Sequence, residues 1–304
     1  MRRGKLKPHA QQHSNASHPP QANKPLEIQD LPVPTPTGRQ LLVRVKATTL
    51  CHSDVTTTLG GFGPVFPVVP GHEAISVVEE VGPDAASYGI KVGDTIGAGL
   101  WQDSCLACPD CKTSGASFCI TKKILGITMP GYFAEYAVVD ANTAVVVARA
   151  GEEPAESPTD LGPIFCAGIT VWDALERAEV RMGETIAVIG MGGLGAMAGQ
   201  YAEKLGARVI ALDVRDEQLL AVKKEGGADE IINTKDLPLQ ELQLKIAQLN
   251  GGQLLSKVIV TSGAGPAYAT AMGIVGAEGT VVAVGLPNEP IPINLLPFAL
   301  RCNK

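Results

Sequence analysis

Seven cysteines are spread unevenly along this chain, and their spacing is the first chemical signal in it. Four lie together as Cys105-x-x-Cys108-x-x-Cys111-x7-Cys119. Thiolates at two-residue spacing can turn inward on one ion, and zinc takes four of them tetrahedrally at Zn–S distances of about 2.3 Å. Four thiolates leave no open position, so such a site staples a loop and does no chemistry. An iron–sulfur cluster is the rival, since it too uses three close cysteines and a distant fourth; the longer gap here, with no proline after it, favours zinc. Cys51, in Cys51-His52-Ser53-Asp54, and His72, in Gly71-His72-Glu73, are further candidate ligands, and Cys166 would make three. Two cysteines and a histidine with an open fourth position form a known catalytic zinc set. Taken singly, a lone cysteine is most often a small buried hydrophobe.

A second chemical signal is Gly190-Met191-Gly192-Gly193-Leu194-Gly195. It follows an apolar run, Ile186–Ile189, and precedes a helical pattern, which is the context a dinucleotide-binding G-x-G-x-x-G requires. Gly190 permits the tight turn, Gly192 lets the backbone approach a pyrophosphate, and Gly195 lets helix and strand pack closely. Phosphates then meet the free N–H groups and positive dipole end of the helix. Asp213 closes the next strand, where a carboxylate accepts hydrogen bonds from both ribose hydroxyls and repels a 2′-phosphate. NAD is therefore favoured over NADP, although Arg215 is placed to accommodate that phosphate.

These residues need two kinds of scaffold. From Leu26 to about Ala148 the pattern is β-rich: Leu41–Val45, Ile75–Val81 and Tyr136–Val139 alternate with Gly and Pro turns, which predicts a compact barrel-like domain. Residues 149–163, rich in Glu and Pro, read as a linker. Beyond Ile164 strands and helices alternate. Strands are expected at Thr185–Gly190, Ala207–Asp213, Glu230–Asn233, Lys257–Thr261 and Thr280–Val284. Helices are expected from the glycine turn to Lys204, at Asp216–Glu225 and at Leu239–Leu249. Such alternation implies a parallel sheet with helices on both faces.

Composition is consistent with two globular domains. Of the 304 residues, 45% are hydrophobic and 18% charged, enough for a sizeable core. A net charge of −6 argues against a nucleic-acid partner. The charge-free stretches Thr185–Ala202 and Val258–Ala277 are broken by Gly and read as strand, turn and helix, so no membrane span is expected. No apolar segment near the start suggests secretion, and the odd cysteine count argues against a disulfide scaffold. A cytoplasmic protein is expected. Residues 1–24 are basic, acid-free and without an apolar period, which predicts a disordered tail; a mitochondrial transit segment is the alternative.

The ordered motifs Leu50-Cys51-His52-Ser53-Asp54, Pro70-Gly71-His72-Glu73, Cys105–Cys119, Gly131-Tyr-Phe-Ala-Glu135-Tyr136, Cys166-Ala-Gly-Ile-Thr170-Val-Trp and Gly190–Gly195 resemble the zinc-containing medium-chain alcohol dehydrogenases over roughly residues 25–300. That resemblance implies a chaperonin-10-like (GroES-like) catalytic domain at 25–150, carrying a structural zinc loop at about 100–120. It also implies a Rossmann NAD-binding domain at 151–290 and the start of a C-terminal return segment at 291–304. Two Zn2+ per chain and NAD are the implied cofactors, a small alcohol or aldehyde the substrate, and a homodimer or homotetramer the assembly. Cys51, His72 and Cys166 would hold the catalytic zinc. Glu73 would stand behind the metal, and Asp54 would orient His72. Ser53 would take the alcohol proton and His52 would meet the pyrophosphate. Thr170 and Leu194 would pack the nicotinamide, and Trp101 would line a narrow pocket suited to small primary alcohols. The expected reaction is oxidation of an alcohol to an aldehyde or ketone with reversible hydride transfer to NAD.

The chain departs from the family pattern in three places. Thr56 stands where many members have a terminal proton-accepting His. Ser76 stands where Gly is usual. The two ends differ as well: the polar start does not resemble the short first strand of the family, and Lys304 falls where the last Rossmann strand would begin. A catalytically inactive truncated member that keeps its zinc, with or without dinucleotide binding, is therefore the competing expectation, from a different class than an enzyme. Within enzymes, a polyol dehydrogenase and a zinc-free quinone reductase are the rivals, and the seven ligand positions disfavour both.

Overall fold

The computed structural model describes residues 13–18, 21–63, 66–287, 289–294, 296 and 299. Residues 1–12 and 19–20 of the expected tail, and most of the segment 291–304, lie outside the described residues. The chain divides into two compact units, Met1–Cys166 and Ala167–Lys304.

Unit 1 opens with a polar strand, β1 (His13–His18), paired antiparallel with β2 (Glu27–Pro32). This corrects the expectation of a disordered 1–24 for its described part. The strand pairs along its backbone with β2; Ala16 is buried, and the Asn15 carbonyl also accepts from the Glu135 amide. Then follow β3 (Gln40–Thr48), α1 (His52–Thr58), β4 (Ala74–Val81), β5 (Thr95–Ala98), β6 (Trp101–Gln102), α2 (Pro109–Thr113), β7 (Lys123–Ile124), β8 (Tyr136–Asp140), β9 (Ala144–Ala148) and α3 (Pro158–Leu161). Five strands make an antiparallel sheet in the order β8-β3-β4-β5-β9. Their alternate residues Leu41, Val43, Val78, Ile96 and Val139 close a core with Leu125 and Tyr132. β6 and β7 form a separate two-stranded ribbon.

Residues expected as a linker carry structure of their own. Ser157 caps α3 through its hydroxyl, which accepts the Asp160 N–H, and a 3-10 turn runs on over Gly162–Phe165. Phe165 is buried against β5. A Cβ on Gly97 would come within 2.1 Å of its ring, so the glycine makes the seat for that side chain. Cys166, expected at the start of the second domain, is the last residue of unit 1.

Unit 2 comprises α4 (Ala167–Arg177), β10 (Thr185–Ile189), α5 (Gly193–Lys204), β11 (Arg208–Asp213), α6 (Asp216–Glu225), β12 (Glu230–Asn233), α7 (Leu239–Leu249), β13 (Leu255–Val260), α8 (Gly265–Ile274) and β14 (Val275–Ala283). Its five strands are parallel, in the order β12-β11-β10-β13-β14. Strands that are apolar throughout, such as Thr185-Ile-Ala-Val-Ile189, are what a sheet covered on both faces needs. Helices α4, α5 and α6 cover one face, and α7 with α8 the other. The order reverses at β10, so its C-terminal end and that of β13 flank the topological switch point. Among the described residues, no helix is long and apolar enough to cross a membrane.

Candidate active site and metal centres

Unit 1 gathers Cys51, His72, Glu73 and Cys166 so that one donor atom from each lies within 4.8 Å of the other three. The ligands come from three places. Cys51 is the N-cap of α1, His72 and Glu73 precede β4, and Cys166 follows the turn seated by Phe165. One buried carboxylate joins the first two. Asp54 Oδ2 accepts the Cys51 N–H (2.9 Å), while Oδ1 accepts the Gly71 N–H (3.0 Å) and faces His72 Nδ1 at 3.0 Å. A cysteine followed three residues later by Asp is therefore a capping arrangement whose acid also reaches a histidine far along the chain. Because the carboxylate can only accept, Nδ1 carries the proton and Nε2 is the nitrogen left for other work. Nε2 is buried and has no hydrogen-bond partner.

Glycines bring the histidine turn this close. Gly71 has φ +96°, and a Cβ on Gly131 would stand 2.0 Å from the Gly71 carbonyl oxygen. The Gly131-Tyr-Phe segment thus packs directly on the turn before His72.

Electrostatics separates these donors. The hydrogen bond from the Cys166 thiol, backed by His72, overrides burial and holds Cys51 down to about 3. The same contact and burial push Cys166 well up. Burial opposes charge on His72, but the hydrogen bond at Nδ1 with Asp54 and the neighbouring Cys51 sulfur raise it to about 10. Burial also raises Glu73, against the lowering hydrogen bond from Thr49. A thiolate facing a buried, orphaned imidazole nitrogen, with both sulfurs half-buried, is a donor set that suits a soft divalent cation. The Cys51 and Cys166 sulfurs are 3.9 Å apart. Two sulfurs bound tetrahedrally to zinc at about 2.3 Å would stand about 3.8 Å apart. The residues present therefore fit the metal.

The four-cysteine loop is a second donor cluster, again within 4.8 Å. Sulfur–sulfur distances are 3.9 Å for Cys105–Cys111 and 3.6 Å for Cys105–Cys119. Backbone N–H groups point at the sulfurs: Cys105 N at Cys119 Sγ (3.2 Å), Cys108 N at Cys105 Sγ (3.3 Å) and Cys111 N at Cys108 Sγ (3.5 Å). Amides of Ala107 and Cys108 lower the Cys105 thiol. Leu106 at φ +57° and Gly115 at φ +104° bend the chain so that the sulfurs converge. Arg39 ties the base of the loop to the barrel, donating to the Ser104 carbonyl (2.7 Å) and to Asp140 (2.7 Å).

In unit 2 the glycine turn is as the spacing predicts. Gly190 has φ +93°, and a Cβ on Gly195 would lie 1.9 Å from the Gly190 carbonyl oxygen, so only glycine allows α5 to start there. Gly192 and Gly193 are exposed, and a Cβ on either would meet nothing within 4 Å. No side chain caps α5, so its first N–H groups have no side-chain acceptor at the cap. This open, uncapped cradle fits a phosphate group. Asp213 is buried at the end of β11, its Oδ2 accepting the Met191 N–H (2.6 Å) and its Oδ1 the Arg215 N–H (2.9 Å). Arg215 is exposed, with Nε 3.9 Å from Asp213.

Three comparisons with known proteins bear on this architecture. The alcohol dehydrogenase GroES-like domain profile matches residues 37–149, and the zinc-binding dehydrogenase profile matches residues 193–303. An alcohol dehydrogenase of Geobacillus stearothermophilus is 34% identical over 284 residues, covering 92% of this chain and 80% of that protein. The chain belongs to the zinc-containing medium-chain alcohol dehydrogenase family. Membership makes it an oxidoreductase of the alcohol dehydrogenase type. A second alcohol dehydrogenase, from Rhizobium meliloti (strain 1021), is 33% identical over 282 residues, with 91% of this chain and 78% of the relative covered. Among solved structures, that of AibC superposes with a TM-score of 0.85 at 26% identity, covering 97% of this chain and 80% of that one. The GroES-like barrel and the Rossmann-type parallel sheet described above are this family's two domains.

Several other predicted residues of this alcohol dehydrogenase fold are placed without being drawn into the donor clusters by the contacts seen. Ser53 is half-buried on α1, and its carbonyl accepts from Thr57. His52 is exposed at the first position of the helix. Thr56 spends its hydroxyl on the His52 carbonyl (3.2 Å), so it is no substitute for a base. Thr170 is exposed on α4, and Leu194 is half-buried on α5. Trp101 lies on β6 with Lys122 Nζ 4.8 Å over its ring. Ser76 is buried on β4, and its hydroxyl has no hydrogen-bond partner.

Sequence reasoning missed Thr48 and Thr49. Thr49 Oγ1 donates to Glu73 Oε2 (2.6 Å), and Thr48 Oγ1 to the Glu73 carbonyl (2.9 Å). Gly162 gives Thr49 its room, since a Cβ there would lie 3.1 Å from Oγ1. The only signal was position: two hydroxyl residues immediately before Leu50-Cys51.

Proposed function

We propose that this chain oxidises an alcohol to an aldehyde or ketone, reversibly, with zinc at Cys51, His72 and Cys166 and with NAD as hydride acceptor. The observation that carries the reading is the orphaned His72 Nε2, buried within 4.8 Å of two cysteine sulfurs. When bound, zinc supplies Lewis acidity that lowers an alcohol's pKa, and NAD supplies the ring that takes the hydride.

The protein's own residues do the rest. With zinc bound, Cys51 and Cys166 would provide thiolate sulfurs and His72 its Nε2, the ring being oriented by Asp54 at Nδ1. Ser53 takes the alcohol proton and passes it towards water, because Thr56 offers no base. Trp101 bounds the pocket, which favours small primary alcohols. Glu73, held by Thr49, stands as a reserve donor behind the three ligands. The loop of Cys105, Cys108, Cys111 and Cys119 holds a second zinc with no open position, for structure alone. The glycine turn receives the pyrophosphate, and Asp213 selects NAD by accepting from the ribose hydroxyls and repelling a 2′-phosphate.

The test is metal content together with oxidation of ethanol and longer alcohols by NAD and by NADP, on the purified chain. Two zincs per chain and NADH formation, with NADP much the poorer acceptor, support the reading. Bound metal without turnover would remove the reaction and leave the metal sites standing. A preference for NADP would move the specificity from Asp213 to Arg215.

A further inference from the structure

The turn after β10 is built round a single peptide plane, that between Gly190 and Met191. Its carbonyl oxygen accepts from Thr261 Oγ1 at 2.5 Å, and its N–H donates to Asp213 Oδ2 at 2.6 Å. The two side chains come from opposite neighbours of β10: Asp213 ends β11, and Thr261 follows β13. Thr261 is anchored there, its own N–H donating to the Ile189 carbonyl (2.9 Å) and its hydroxyl lying 3.0 Å from the same oxygen. The peptide it holds is the one Gly190 turns with φ +93°, a conformation with little intrinsic preference of its own. The same Gly190 carbonyl lies under the first turn of α5, where it forbids a side chain on Gly195. This one plane opens the turn that leads to the exposed backbone at Gly192 and Gly193, where a phosphate would be met.

We infer that Thr261 is a positioning residue for the dinucleotide, clamping the Gly190–Met191 peptide from the side opposite Asp213; this rests on the NAD reading above. Asp213 alone cannot define the plane, because its carboxylate is divided between the Met191 and Arg215 amides and would also face ribose. The hydrogen bonds of Thr261 run to the Ile189 and Gly190 carbonyls. Thr261 acts by keeping the cradle in shape before the cofactor arrives, so its loss raises the cost of binding without removing a contact to the ligand.

The experiment compares Thr261→Val, Thr261→Ser and the native chain by NADH titration followed through cofactor fluorescence, with zinc content and thermal unfolding measured on the same samples. Loss of one net hydrogen bond of about 1 kcal/mol predicts NADH binding weakened by about fivefold to tenfold in T261V. KM for NAD rises with it, kcat changes less, and both zincs are retained. T261S, which keeps the hydroxyl, returns to within about twofold of native. If T261V fails to fold, Thr261→Ala carries the same expectation in a smaller side chain. Native-like NADH binding by T261V or T261A, or T261S as weak as T261V, overturns the inference. Absence of NADH binding by the native chain would instead overturn the reading on which it rests.

Discussion

The two cysteine clusters of unit 1 are built on opposite principles. The loop cluster is local: its donors all fall between Cys105 and Cys119, and its sulfurs are bracketed by backbone N–H groups of the same loop. The second cluster is assembled from residues as distant as Cys51 and Cys166, and other side chains place its donors. Asp54 sets Cys51 and His72, Thr49 sets Glu73, and Phe165 on Gly97 sets Cys166. A closed site with four equivalent donors can be written into a short loop. An open site with unequal donors needs a scaffold that fixes each donor separately.

The sharpest way to break the comparison is to remove a donor from each cluster. For His72→Ala, metal loss at the open site should cost several kcal/mol of transition-state stabilisation, which is about a thousandfold or more in kcat/KM for alcohol oxidation. One zinc should remain, in the loop, by metal analysis. Cys111→Ser should do the reverse: the loop metal is lost and thermal unfolding moves down by several degrees. Turnover per folded molecule, measured below that transition, should then fall much less than in H72A. If both variants lose both metals, the two sites are not independent.

A subtler change separates holding a donor from being one. Asp54→Asn keeps the shape but cannot accept from the Cys51, Gly71 and His72 donors together, so metal affinity at the open site should fall by about 10-fold to 100-fold. Competition with a chelator would read this, with the loop zinc as an internal standard that does not move. The smallest effect belongs to Ser76. Its buried hydroxyl is unpaired, so Ser76→Ala should raise stability by about 1 kcal/mol in denaturant unfolding, with both metals unchanged.

What could be read from the sequence follows the same division. The loop cluster was legible from spacing alone, because its geometry is local. So was the middle of unit 2, where Asp216–Glu225, Glu230–Asn233 and Leu239–Leu249 are found at their expected bounds, since period and glycine punctuation act over a few residues; the helices α4 and α8 were not expected, and β14 begins at Val275, ahead of the expected Thr280. Cys51, His72 and Cys166 were legible only through ordered motifs resembling a family. No local rule says that Cys51 meets Cys166. The strand β1 was missed because its residues are polar and its stability comes from pairing with β2 and with the backbone at residues 134–135. Thr49 and Thr261 were missed for a related reason. A threonine beside a motif has no signature, and its value depends on which backbone or carboxylate the fold brings within reach of its hydroxyl.

The most direct test of the two-site account is anomalous diffraction at the zinc edge from crystals of the zinc-loaded chain. The account predicts two peaks in each molecule, one enclosed by Cys105, Cys108, Cys111 and Cys119, and one among Cys51, His72 and Cys166. A single peak in the loop, or a second peak away from His72 Nε2, would contradict it.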